Sequence, residues 1–282
     1  MTSPLEIPPH VKTFLFLSAS LVMLPATTAG AEPPASPAAN VQQTIAHRGA
    51  STERPENTLA ALRRAIRAGA TATEVDVRTS ADNELVLLHD ATLDRTSSGT
   101  GLISEVSLAE LQQLDAGSWF DSRYRKQTIP TLRQALVVCR GRIDILLDLK
   151  GTGEDYVTRV IGEVKRYGDP GRTIIGIRSV EQARMFRDRL PAARQLGLVP
   201  DPEAIEPFVE AGVETIRLWP RWLSEMGLVQ RVRDAGATLH LNGTDGSREE
   251  VLQLLEHGPA SLSSDDPRRL VNTLRSLKRH PE

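Results

Sequence analysis

The feature that most constrains this chain is a rhythm: from Val41 onward, short apolar runs alternate with amphipathic stretches. The runs read as strands at Gln43–Ala46, Thr73–Arg78, Leu85–His89, Asp144–Leu149, Thr173–Ile177, Gln195–Val199, Thr215–Trp219, Thr238–Leu241 and Ala260–Ser263. Helical periodicity fills most of the intervals. In Thr58–Ala68, for example, Leu59, Leu62, Ala65 and Ile66 share one face and arginines the other. Further helices are predicted at Glu154–Tyr167, Val180–Leu190, Pro202–Ala211, Glu225–Ala235, Ser247–His257 and Pro267–Lys278. Strand-then-helix repetition implies a parallel sheet, because parallel neighbours need a long crossover between them. One interval is too short for that. Only TSADNE separates Arg78 from Leu85, and Asp82-Asn83 is turn chemistry. Leu85–His89 is therefore expected to fold back antiparallel, and a turn centred on Ala81-Asp82 places His89 opposite Glu74. Removing this return strand leaves eight, the number of an α/β TIM-type (β/α)8 barrel, a fold that spans about 250 residues as one domain. An open doubly wound sheet is the alternative.

The stretch of about 91–130 breaks the rhythm. It holds Gly99, Gly101, Gly117 and one short helix at Leu108–Leu114, and is expected to be a small insertion subdomain over the barrel mouth. Upstream, Lys12 precedes an apolar run from Phe14 to Leu24, and the small residues Ala29-Gly30-Ala31 follow. That run is long enough for a signal-peptide core and too short to span a bilayer. Residues 1–31 are thus expected to be a signal peptide cleaved after Ala31, with an uncleaved anchor or disordered leader as alternatives. A flexible Pro/Ala-rich linker would cover 32–41 and the catalytic barrel 42–282. Export to a periplasm or out of the cell follows from that reading, with no stable membrane anchor after cleavage. The net charge is -2, with no long basic run and only 4% aromatic residues, which argues against a nucleic-acid partner. The lone Cys139, in ALVVCRG, reads as a buried apolar residue at a helix end. Oligomeric state is not legible.

Barrel enzymes place their chemistry at the carboxyl ends of the strands. Those ends carry His47 and Arg48, Glu74 and Asp76, His89 and Asp90, and Asp148 and Lys150. Glu74 and Asp76 stand two apart on one strand, so both carboxylates point to one side and Val75 and Val77 to the other. Such a pair repels unless a cation neutralises it. A divalent ion suits the oxygen-only set, Mg²⁺ or Ca²⁺ rather than zinc, and Asp148 could add a third carboxylate. A helix cap or an arginine salt bridge would also account for either carboxylate. His47 and His89, each after a strand, suit acid–base work near neutral pH, although either alone could be structural. Arg48 and Lys150 add positive charge, so an anionic substrate such as a phosphate ester is expected. Weaker candidates are Asp265, Asp266 (better read as a helix cap), Trp219 and His240.

At these residues the chain resembles the glycerophosphodiester phosphodiesterase family. The resemblance begins with IAHRGASTERPENT and EVDVRTSADNELVLLHDATLDRTSSGTG, continues through LQQLDAGSWF, IPTLRQAL and LLDLK, and ends at SLSSDDP, about residues 44 to 275. It implies a TIM-type barrel with an insertion after the second strand. It also implies an acid–base pair in His47 and His89, and a divalent metal on Glu74 and Asp76. The third ligand would be Asp148, where the family's motif has a glutamate. Arg48 and Lys150 would contact phosphate, while Glu56 and Asn57 of PENT would support the loop and a helix start. The implied reaction is metal-dependent hydrolysis of a small-molecule glycerophosphodiester to glycerol 3-phosphate and an alcohol. A cyclic phosphate would form on the way, as in phosphoinositide-specific phospholipases. In THLNG the chain departs from relatives that carry a tryptophan. A phospholipase D-type or lysophospholipase activity, or an exported binding protein with a decayed site, are the competing readings.

Overall fold

The computed structural model describes Met1 and residues 36–279. The expected signal peptide and cleavage site lie outside the described residues, as does most of the linker. The part of that linker that is described is not loose. Pro37–Asn40 form a 3-10 turn with Ala38 and Val41 buried, and the Ser36 hydroxyl donates to the carbonyl of Leu277 at 2.9 Å. Ala38 and Val41 give these residues an apolar anchor that their Pro/Ala-rich surroundings conceal.

Nine strands form one sheet: β1 (Gln43–Ala46), β2 (Ala72–Thr79), β3 (Leu85–Leu87), β4 (Asp144–Leu149), β5 (Thr173–Ile177), β6 (Arg194–Gly197), β7 (Thr215–Leu218), β8 (Thr238–Thr244) and β9 (Ser261–Ser264). All pair in parallel except β2 with β3. β1 pairs with both β9 and β2, which closes an eight-stranded barrel and leaves β3 as the antiparallel return strand. The chain is thus a TIM-type barrel, not an open sheet.

The helices that follow the barrel strands are α1 (Leu59–Ala68), α3 (Leu132–Cys139), α4 (Glu154–Tyr167), α5 (Val180–Arg189), α6 (Ile205–Glu210), α7 (Leu228–Asp234), α8 (Arg248–Leu255) and α9 (Pro267–Arg279); α2 (Leu108–Leu111) lies in the insertion. Caps explain several boundaries. Thr58 caps α1 through Ala61 N, Thr131 makes a reciprocal capping box with Gln134, and Ser247 caps α8 through Glu250 N. The main core lies between helices and the outward faces of the strands, and takes in Val75, Val77 and Cys139. Burial pushes the Cys139 thiol up to about 12, so it stays an apolar spacer.

Inside the barrel, Ile45, Ala72, Leu146, Ile174, Leu196 and Leu198 form a separate apolar layer. At the amino ends of the strands Asp144 closes the barrel, pairing with Arg172 at 2.8 Å and Arg194 at 2.5 Å. The apolar layer therefore lies between an ion-paired base and the opposite, polar mouth. Residues of the insertion pack a small core of their own, Leu93, Ile103, Leu111, Ala116 and Ile129, against Val86 and Leu88 beside β3.

The hairpin register differs from expectation by one residue. Val77 faces Leu87 and Thr79 faces Leu85, so the turn centres on Asp82, not between Ala81 and Asp82. The strand ends at Leu87, and His89 does not stand opposite Glu74. Asn83, at φ 64°, supplies the left-handed residue that the tighter loop needs, and Ser80 N and Asn83 N find acceptors within it.

Candidate active site

The first part of the site is the turn after β1. Arg48 (φ 54°) and Gly49 (φ 82°) are consecutive left-handed residues. A Cβ on Gly49 would lie 2.6 Å from the Cβ of Ala61, so only glycine lets this turn press on α1. The turn aims the backbone N–H of Arg48 at Glu74 Oε2, 2.7 Å away. His47 leaves the end of β1, and its Nδ1 lies 2.8 Å from Asp265 Oδ1. Ser51 donates to the same carboxylate oxygen at 2.6 Å. His47 is held above its ordinary pKa: burial pulls it down, but the Asp265 hydrogen bond and the charges of Glu74 and Asp265 outweigh that.

On β2, Glu74 and Asp76 point into the barrel and are 5% and 1% exposed. Asn57, itself left-handed at φ 55°, grips Asp76 twice. Its amide donates to Oδ2 at 2.8 Å and its carbonyl accepts from Asp76 N at 3.1 Å. The residues of PENT divide their work: Asn57 orders Asp76, Thr58 caps α1, and Glu56 accepts from Arg48 at 3.0 Å and from Arg95 at 2.8 Å.

His89 comes from the turn after β3, one residue beyond Leu88, whose N–H donates to the carbonyl of Asp76 at 3.1 Å. Arg78 holds it there through two hydrogen bonds to its own carbonyl, at 3.0 and 2.7 Å. Its Nδ1 lies 2.7 Å from Asp90 Oδ1, and Arg95 grips the other oxygen of Asp90 at 2.6 Å. That contact with Arg95, more than the one with His89, draws the Asp90 carboxyl down to about 2. An unbroken polar chain thus runs from His89 through Asp90, Arg95, Glu56 and Arg48 to Asp76.

Asp148, on β4 directly beside Asp76, completes a group of three carboxylates whose oxygens lie within 4.8 Å of one another. Lys150 Nζ bridges Asp76 and Asp148 at 2.8 and 2.7 Å, and Arg178 pairs with Asp148 at 2.5 Å. Glu74 has no cationic side chain paired with it among the described residues. Burial first, and then the charge of Asp76, hold its pKa well above the carboxylate range. Three converging carboxylates, one uncompensated, with only oxygen donors, fit a hard divalent cation.

A cleft at this mouth is lined by His47, Glu74 and Asp148 on one part of its wall and by Arg217, His240 and Asn242 on another. His240 is fully buried, bonded through Nδ1 to Ser261 Oγ at 2.8 Å, and pushed down to about 3 by burial and by Arg217. It is neutral at physiological pH. Trp219 stacks under the Arg217 guanidinium, 3.9 Å from its centre. Asp266 accepts from Arg269 N at 2.9 Å, which is the cap expected of it.

Glu74, Asp76 and Asp148 converge, His47 lines the cleft beside Glu74 and Asp148, and His89, in the turn after β3, is linked to Asp76 through Asp90, Arg95, Glu56 and Arg48. The two cations expected to contact phosphate, Arg48 and Lys150, are both engaged by carboxylates. Asp90, Arg95 and Arg178 have no role legible in the sequence, and Asp265 is there only a weaker candidate. An acid beside the histidine of HD and one at the end of the last barrel strand were the available signals. Nothing local marks Arg95 or Arg178.

Residues 47–269 match the glycerophosphoryl diester phosphodiesterase family. A glycerophosphodiester phosphodiesterase of Caldanaerobacter subterraneus subsp. tengcongensis is 31% identical over 238 residues, 82% of this chain and 97% of that one. A solved glycerophosphodiester phosphodiesterase of Agrobacterium tumefaciens is 29% identical with a TM-score of 0.70, covering 82% of this chain and all (100%) of that one. An Oleispira antarctica phosphodiesterase, solved in complex with the product sn-glycerol-3-phosphate, is 27% identical with a TM-score of 0.73, covering 85% of this chain and 99% of that one.

Proposed function

Because the chain belongs to the glycerophosphoryl diester phosphodiesterase family, and is a phosphoric diester hydrolase acting on glycerophosphodiesters, we propose that it performs this hydrolysis with His47 and His89 as the acid–base pair and a divalent cation on Glu74, Asp76 and Asp148. One observation carries the reading. His47, its Nδ1 tied to Asp265, lines the cleft with the clustered carboxylates, and His89, its Nδ1 tied to Asp90, follows the return strand paired with β2, which carries two of them. An Nδ1–H bonded to a carboxylate fixes the tautomer and leaves Nε2 to exchange protons with a substrate.

Glu74, Asp76 and Asp148 would hold Mg²⁺ or Ca²⁺, which when bound neutralises charge on a phosphoryl oxygen. The chain's own groups do the rest. One histidine removes the proton of the glycerol 2-hydroxyl, whose oxygen attacks phosphorus. The other protonates the departing alcohol as its P–O bond breaks. Water then opens the cyclic phosphate with the two histidines in exchanged roles, giving glycerol 3-phosphate. Asp265 and Asp90 stabilise whichever ring carries the extra proton. Arg48 is shared between Glu56 and Asp76, and Lys150 lies between Asp76 and Asp148, so each reaches phosphate only while also bracing a carboxylate. The product bound in the Oleispira antarctica relative supports this choice of product.

The test is release of glycerol 3-phosphate from glycerophosphocholine, assayed beside lysophosphatidylcholine, with and without chelator. Turnover of the first substrate only, abolished by chelator, is expected. Release of choline from lysophosphatidylcholine alone would replace the reading with a phospholipase D-type activity.

We further infer export to a periplasm or the exterior, on the strength of the apolar run Phe14 to Leu24 and Ala29-Gly30-Ala31. N-terminal sequencing of the mature protein should begin at Glu32; retention of Met1 on protein in the cytoplasm would overturn it.

A further inference from the structure

Three buried polar atoms along the cleft have no hydrogen-bond partner among the described residues: Arg217 Nε, Asn242 Oδ1 and Ser263 Oγ. They come from the neighbouring strands β7, β8 and β9, which together form the barrel wall away from β2 and β4. An unsatisfied buried polar atom costs about 1–3 kcal/mol. Native folds satisfy nearly all such atoms, so three on one stretch of wall point to something that folding alone does not supply.

The charge distribution gives the same direction. Arg48, Lys150 and Arg178 each pair with a carboxylate. The Arg217 guanidinium makes no ion pair or hydrogen bond among the described residues; it stacks on the face of Trp219 and faces Glu74 and Asp148 across the cleft without contacting them. It stands beside His240 on the adjacent strand, and that ring is committed to Ser261. A guanidinium half-buried at the mouth with no anion in direct contact is costly to maintain and ready to receive one.

We infer that Arg217, Asn242 and Ser263 form a subsite for the glycerophosphoryl half of the substrate, Arg217 binding a phosphoryl oxygen and Asn242 and Ser263 the glycerol hydroxyls. The inference rests on the glycerophosphodiesterase reading and deepens it. The donor set matches a polyol phosphate: a planar cation for the anion, an amide carbonyl to accept one hydroxyl, and a hydroxyl able to donate or accept. None of the three residues lies in HRG, ExD, HD or the DLK strand; Ser263 falls in SLSSDDP and Asn242 in THLNG, so the subsite belongs to the far wall of this barrel. It makes the wall a reader of the glycerol phosphate that all substrates share, and leaves the alcohol unread there.

Calorimetric binding of sn-glycerol 3-phosphate and of inorganic phosphate, at saturating divalent cation, separates the parts. In wild type both should bind, the glycerol ester more tightly. Arg217→Gln should weaken both at least tenfold, with partial recovery in Arg217→Lys. Asn242→Leu and Ser263→Ala should weaken the glycerol ester about tenfold and leave inorganic phosphate unchanged. The melting temperature of Arg217→Gln should change little, because the guanidinium has no ion pair or hydrogen bond to lose and gives up only its stacking on Trp219, whereas a clear fall with unchanged binding would make Arg217 structural and overturn the proposal. Unchanged binding of both probes in all variants, or no binding to wild type, would also overturn it. These titrations need no turnover, so failure to hydrolyse glycerophosphocholine would refute the activity without deciding the subsite.

Discussion

Asp265 Oδ1 lies 2.8 Å from Nδ1 of His47, although 218 residues of chain separate them. The end of the last barrel strand thus steers the side chain that leaves the end of the first. Closure of β9 onto β1 makes this possible. Asp90 does the same for His89 from the adjacent position in sequence. Removing the charge while keeping the shape should disturb tautomer and orientation without emptying the site. Asp265→Asn and Asp90→Asn are each expected to lower kcat at least about tenfold with a smaller change in KM. Steady-state kinetics with glycerophosphocholine check this, and wild-type kcat in both variants would remove the aspartates from the mechanism.

The histidines themselves should matter more. His47→Ala and His89→Ala are each expected to reduce turnover by about 10²-fold or more, the usual size of a general acid or base contribution. Their double variant should lose little beyond the worse single one if the two act in one concerted step. Substantial activity in either single variant would mean that its ring is structural.

Glu74 gives the metal a readout apart from catalysis. Its buried carboxyl has no cationic side-chain partner among the described residues, and its pKa is raised chiefly by burial. A divalent cation that binds the folded state should therefore raise the melting temperature in proportion to the logarithm of its concentration. EDTA should abolish activity, with Mg²⁺ or Ca²⁺ restoring it. Glu74→Gln is expected to remove most of the thermal shift. A melting temperature indifferent to both ions and to EDTA would count against the site.

His240 predicts a pH effect on stability. Folded, it stays neutral down to about pH 3, whereas an unfolded histidine takes up a proton near pH 6.5. Between those values the unfolded chain binds the extra proton, so this contribution is complete above the unfolded value and is lost as pH falls toward the folded one. The slope approaches about 1.4 kcal/mol per pH unit at most. Denaturant midpoints for wild type and His240→Gln from pH 7 to pH 4 test it; the variant should show the shallower decline.

The sequence alone determined whatever depends on neighbours along the chain. Period-two spacing put Glu74 and Asp76 on one side of β2 and Val75 and Val77 on the other, because successive side chains in a strand alternate. The six residues after Arg78 forced a return strand, because no crossover is that short. Asp266 could be read as a helix cap from its own side chain, whereas α1 is capped by Thr58 and not by the Asn57 of PENT. The tertiary structure decided whatever depends on which strand ends meet. The hairpin register came out one residue away from the turn read in TSADNE, since packing and the left-handed Asn83, not composition, set the centre of the loop. The carboxylates that occupy Arg48 and Lys150, the aspartate that steers His47, and the unpaired guanidinium of Arg217 all follow from closure of the barrel. Closure brings residues far apart in sequence within hydrogen-bond reach, and no local pattern encodes which of them will find a partner.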